Sequence, residues 1–176
     1  MLPASRATPR GILTALLLVA LNAGAEPGAG DVAPDYVGRL ADGTDVTISD
    51  HAGKAIVLSF WATWCPYCLQ ELPILNASQV SPARNSIQVI AVNTEERDVF
   101  QAAFRALGSS QALKLAYDPT SSAQHACGVK GISHMDIIGK DGNIIRVYRG
   151  YDAASLPRMI ADINQASGAT DKAGVE

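Results

Sequence analysis

Two cysteines stand two residues apart in the stretch FWATWCPYCLQELP, residues 60–73, directly after an apolar run. Cys65 and Cys68 at this spacing can be a redox dithiol, half of a zinc site, or two small buried side chains. Redox chemistry needs a thiolate, and a free thiol with a pKa near about 8.5 supplies little of it at neutral pH. A helix N-terminus changes that, because its unpaired N–H groups and the positive end of its dipole face the sulfur and bring the pKa down to about 3.5–7.5. The spacing covers about half a helical turn, so Cys68 can turn toward Cys65 and release a partner held there as a mixed disulfide. A four-ligand zinc site would need further donors. Cys127 is the one remaining cysteine, and no histidine pair sits at zinc-finger spacing.

The elements around the pair suit the redox reading. Residues 55–61, AIVLSFW, read as a strand buried on both faces of a sheet, which delivers the cysteines at its C-terminal end. Pro66 suits the first turn of a helix, and the spacing predicts a helix over 66–79 that Pro73 interrupts. Asp42-Gly43 marks a hairpin between strands at 36–40 and 45–49. Further on, the pattern predicts a buried strand at 87–93, a helix at 96–108, a strand at 112–118 and a short helix at 120–127. A turn at 128–131 leads to a strand at 137–139, Asp141-Gly142 turns the chain into a partner strand at 143–150, and a last helix occupies 153–166. Alternating strands and helices with a final hairpin make an α/β fold with a mixed sheet.

With 176 residues and a net charge of −3, the chain suits one domain and shows no basic stripe for nucleic acid. The first 25 residues form a signal-peptide pattern: Arg6 and Arg10, an apolar run from Gly11 to Leu21, then Ala23-Gly24-Ala25. That run is shorter than the about 20 residues that span a bilayer, so cleavage after Ala25 and export to a periplasm are expected rather than a permanent anchor. The mature chain then has a flexible lead (26–33), a domain (34–166) and a disordered tail (167–176).

FWATWCPYCLQELP resembles the active-site segment of the thioredoxin superfamily, and its CxxCxxExP continuation is similar to the TlpA/ResA-like branch. The resemblance runs from about Pro34 to Gln165, and it includes the leading hairpin and an extra segment at 95–118. It implies the thioredoxin fold, a mixed β-sheet flanked by helices, with an N-terminal β-hairpin and a TlpA/ResA-type insertion. It also implies thiol–disulfide exchange with no cofactor beyond a Cys65–Cys68 disulfide. The implied partners are exported protein thiols or disulfides, such as those of cytochrome c maturation or copper-site assembly, and a membrane electron donor that recharges a reductant. Cys65 and Cys68 are the expected catalytic residues, flanked by Trp64, Pro66 and Tyr67. Glu71, one turn beyond Cys68, is the expected proton acceptor, and it must also serve where thioredoxin has a buried aspartate, since Ser59 stands there.

Ile132 and Ser133 occupy the substrate loop, where the family places a cis-proline. Serine lacks the ring and adds an N–H donor and a hydroxyl, so the edge offered to substrate is expected to be altered, and the resemblance leaves the geometry of the bond open. His134 and Met135 follow. With Cys65 and Cys68 they are soft-metal donors, which makes a copper-binding or copper-delivery protein the alternative reading; the leading one needs no metal. Asp136 stands where the family has a large apolar residue. Cys127 is expected to be a half-buried spectator, His51 and His125 surface or helix residues, and Glu95 and Glu96 surface charges favoured at a helix start.

Overall fold

The computed structural model describes residues 26–80, 86–108, 111–150 and 153–168; the expected signal peptide and residues 169–176 of the expected tail lie outside them. In chain order the elements are β1 (Tyr36–Arg39), β2 (Asp45–Thr47), β3 (Ala55–Trp61), α1 (Pro66–Val80), β4 (Ile87–Asn93), α2 (Arg97–Leu107), β5 (Lys114–Tyr117), α3 (Ser122–Ala126), β6 (His134–Ile138), β7 (Ile144–Arg149) and α4 (Leu156–Ser167). The strands form one mixed sheet in the order β2-β1-β5-β4-β3-β6-β7. The hairpin β1–β2 therefore joins through the inserted α2–β5 unit.

β3 and β4 are the centre of the sheet because both are continuous apolar runs that can be covered on two faces. They pair in parallel from Ala55 opposite Ile87 to Trp61 opposite Asn93, and every residue in both is buried. β6 runs antiparallel on the other side of β3, with Phe60 opposite His134 and Leu58 opposite Asp136. Side chains alternate across the sheet, and two cores result. One holds Val57, Trp61, Val89, Leu115, Met135 and Ile137 beneath α1, α2 and α4, and it includes both residues of the cysteine pair. The other holds Ile56, Leu58, Phe60, Ile90, Ile138 and Cys127 beneath α3 and the N-terminal hairpin. Gly38 lets the hairpin approach, since a Cβ there would lie 2.8 Å from the Tyr117 carbonyl oxygen and its φ is +143°.

Four expectations change. The lead is tied down: Gly30 N–H donates to the Ile144 carbonyl at 2.8 Å and Ala33 N–H to the Gly142 carbonyl at 3.0 Å, while the Glu26 carboxylate pairs with Lys130. The groups beside the β6–β7 turn needed partners, and the lead provides them. β6 begins at His134, three residues earlier than the sequence suggested, because pairing with β3 overrides the weak strand preference of Ser-His-Met-Asp. Ser167 belongs to the last helix rather than to a tail; its carbonyl accepts from the Ser86 hydroxyl at 2.8 Å. His51 is buried in a short 3-10 turn, Ser49–His51, and burial holds its imidazole below the usual pKa.

Candidate active site

Beyond Trp61 the chain leaves β3 and turns sharply before α1. Cys65 N–H donates to the Ala62 carbonyl at 3.1 Å, and the first helical bond runs from Leu69 N–H to the Cys65 carbonyl at 3.2 Å. Pro66 opens α1, where its missing N–H leaves no intrahelical bond unmade. Cys65 and Cys68 form a disulfide with Cα atoms 5.3 Å apart. The Cys68 N–H points at Cys65 Sγ from 3.2 Å, the contact that favours charge on this sulfur once the bond is reduced. Both cysteines are buried, whereas Trp64 and Tyr67 are 66% and 58% exposed and flank the pair on the surface.

Glu71 lies one turn after Cys68 on the buried side of α1, at a spacing that makes neighbours on a helix. It is 2% exposed, and its Oε2 accepts a hydrogen bond from the Ser133 hydroxyl at 2.9 Å. Oε1 meets no hydrogen-bond partner among the described residues. Burial pushes the carboxyl above its ordinary pKa, and the hydroxyls of Ser133 and then Ser59 pull it part of the way back. Ser59 stands on β3 opposite Met135 of β6, whereas Ser133 reaches the acid from the bend that leads into β6. The Ile132–Ser133 peptide bond is cis, as the family's proline bond is, and the Ser133 carbonyl accepts from Gly150 N–H at 2.7 Å.

A cleft of about 360 Å³ is lined by Trp64, which precedes Cys65, and by Thr94, Gln124, Val129, Gly131 and Ile132. It brings Ile132, expected to lie in a substrate loop, and Trp64 to one surface groove.

The alternative metal set does not come together. His134 follows Ser133 by one residue and so faces the opposite side of the sheet from Cys65 and Cys68. Its ring meets Phe60 at 5.8 Å between centroids, and its Nε2 lies 3.1 Å from Asp136 Oδ1. Asp136 is thus partnered inside, on a strand in unbroken register with β3. Met135 shares the cysteines' core. Among the described residues no group of three or more His, Cys, Asp and Glu could hold a metal ion.

Two further expectations are corrected. Cys127 is buried at 2% exposure rather than half-buried, and burial, followed by the nearby charges of Asp136 and Asp118, pushes its thiol up to about 12. Glu95 is not a loose helix-start charge. Its carboxylate accepts from Thr63 N–H at 2.6 Å, from the Thr63 hydroxyl at 2.9 Å and from Asn93 Nδ2 at 3.1 Å. This clasp holds the turn two residues ahead of Cys65, and sequence reasoning missed it. The signal was the parallel register: with Trp61 opposite Asn93, two further residues along each chain bring Thr63 to Glu95.

Residues 28–166 match the family model described as Redoxin. The thiol-disulfide oxidoreductase ResA of Bacillus thuringiensis subsp. konkukian is 28% identical over 123 residues, 69% of either chain. The ResA of Geobacillus thermodenitrificans is 28% identical over 121 residues, again 69% of each. Among solved structures, a candidate DsbE thiol:disulfide interchange protein of Chlorobium tepidum has a TM-score of 0.73 at 29% identity, with 81% of this chain and all of that one covered. A thioredoxin family thiol:disulfide interchange protein of Chlorobium tepidum gives a TM-score of 0.63 at 25% identity over 83% of this chain.

Proposed function

The chain belongs to the Redoxin family and is a thiol–disulfide oxidoreductase of thioredoxin fold with Cys65 and Cys68 as its redox pair; on that premise we propose that it is an exported reductant of protein disulfides. The observation that carries the proposal is the disulfide at the start of α1 with a buried acid one turn behind it.

In the reduced protein Cys65, at the helix N-terminus, is the thiolate. It attacks one sulfur of the substrate disulfide; that S–S bond breaks, and the other substrate sulfur leaves as a thiolate and takes a proton from water. A mixed disulfide between Cys65 and the substrate remains. Cys68 then gives its proton to the Glu71 carboxylate and attacks Cys65 Sγ, forming the internal disulfide and expelling the second substrate thiolate. Two electrons pass from protein to substrate. A carboxyl whose pKa is raised by burial holds such a proton over a pH range in which an exposed glutamate would not.

Burial of Cys68 and the acid beside it disfavour a second thiolate in the reduced pair, which argues for a reductant: a strong oxidant such as DsbA owes its potential, about −120 mV, to a stabilised reduced form. A membrane dithiol donor on the exported side would restore the thiols. Export rests on the segment ahead of Glu26; no helix among the described residues is long and apolar enough to cross a membrane.

Cys68→Ser is expected to accumulate mixed disulfides through Cys65, seen on non-reducing gels. If that variant captures nothing while the wild type still reduces disulfides, the assigned roles are wrong, and a measured potential near that of DsbA would reverse the direction. Copper delivery, the competing reading, would rest on the two thiols with Met135. It requires stoichiometric copper(I) binding that Cys65→Ser abolishes and His134→Ala leaves intact.

A further inference from the structure

Resting on the exchange reaction above, we propose that Ser133 is a positioning residue for its proton step: the hydroxyl holds Glu71 and makes the substrate loop part of the proton-accepting device.

The geometry is specific. Ser133 Oγ donates to Glu71 Oε2 at 2.9 Å across a sequence separation of 62 residues, with both side chains buried. A hydroxyl donating to one carboxylate oxygen favours the ionised acid and leaves the other oxygen, Oε1, to receive the proton. Oε1 is buried and meets no hydrogen-bond partner among the described residues. Glu71 and Cys68 sit one turn apart on the same buried side of α1, so the thiol and the acid are neighbours.

The surroundings leave this hydroxyl few competitors. β3 brings Ser59 to the acid, and β6 brings Met135 to the same core; α4 adds Met159 and Ile163 and α2 adds Phe100. None of these titrates near neutrality. The causes acting on the carboxyl are burial and the hydroxyls of Ser133 and Ser59, with no charged side chain among them. In the reduced protein the titratable neighbours are the thiols of Cys65 and Cys68. A proline at position 133 carries no donor, so it could not hold the acid in this way. Ser133 is also joined to the loop that borders the cleft beside Trp64, since Ile132 lines that cleft. A substrate seated on the loop edge therefore rests against the residue that holds the proton acceptor.

The test compares Ser133→Ala, Ser133→Pro and Ser133→Thr with wild type in two readouts. The first is the titration of the Glu71 carboxyl carbon in reduced protein by NMR, identified by its loss in Glu71→Gln. Ser133→Ala and Ser133→Pro are expected to raise the midpoint by about one pH unit, a tenfold change in the acid constant, and Ser133→Thr to restore it. The second is the pH profile of kcat/KM for disulfide reduction. Its acid limb is expected to move up with the midpoint in Ser133→Ala and to return in Ser133→Thr. An unchanged midpoint in Ser133→Ala overturns the proposal, as does a lowered plateau with an unmoved limb, which is what a purely structural role would give. The titration needs no turnover, so it judges Ser133 even if the reductase reading fails.

Discussion

The chain buries cysteine twice, and the two settings have opposite chemistry. Cys65 and Cys68 sit where β3 delivers the chain to the N-terminus of α1, with a backbone N–H on Cys65 Sγ and exposed aromatic residues beside them. Cys127 caps the C-terminal end of α3 on the other face of the sheet, where carbonyls rather than N–H groups converge and Asp136 and Asp118 are near. The difference shows that position sets reactivity: a backbone N–H faces the Cys65 sulfur of the exchangeable pair, whereas burial and then the charges of Asp136 and Asp118 hold the Cys127 thiol at about 12. The acids repeat the contrast. Glu71 has a hydroxyl donor and an idle oxygen, while Asp136 is engaged by His134.

The comparison breaks first at the nucleophile. Cys65→Ser should lose disulfide reductase activity by at least about a thousandfold, while Cys127→Ser keeps it within about twofold. Comparable losses in the two variants would mean that Cys127 takes part. On the inert face, His134→Ala should cost about 2 to 4 kcal/mol of stability, read from urea unfolding, because it leaves Asp136 buried without its partner. The potential of the cysteine pair should stay where it was, and a large change would join the two faces.

Glu71 sharpens the contrast through pH. Its carboxyl titrates above the ordinary 4.5 in the folded chain. Between those two values the unfolded chain has already released a proton that the folded chain still holds, so stability is full below about 4.5 and falls as pH rises through the window. Glu71→Gln should flatten that slope in unfolding midpoints taken across it. A steeper fall in the variant would contradict burial as the cause. The smallest effect is expected at the clasp: Thr63→Val removes one hydrogen bond to Glu95 and should cost about 1 kcal/mol while leaving the Thr63 N–H bond in place.

Much of this was legible in the chain itself. AIVLSFW and IQVIAVN are strands from first residue to last, because two-faced burial demands unbroken apolar runs. The cysteine pair and its helix were readable from spacing and Pro66. Ser133 was legible as a departure, but its partner was not. The bond to Glu71 joins residues that only the β3–β6 pairing brings together. His134 entered only the alternative metal set, and the face its ring takes was not legible with the strand placed at 137–139, because one residue of parity turns a side chain to the other side of the sheet. Glu95 looked like solvent charge since its ligands are a backbone N–H, a threonine and an asparagine, which carry no local signature.

The order of the sheet has a consequence for crowded surroundings. Its long apolar strands, β3 and β4, are inner ones, and the margins are β2, with three residues, and β7, which carries Arg146 and Arg149. A short margin and a charged one are poor templates for adding a strand from another molecule. The segments with the greatest tendency to aggregate are therefore exposed only when the whole sheet comes apart.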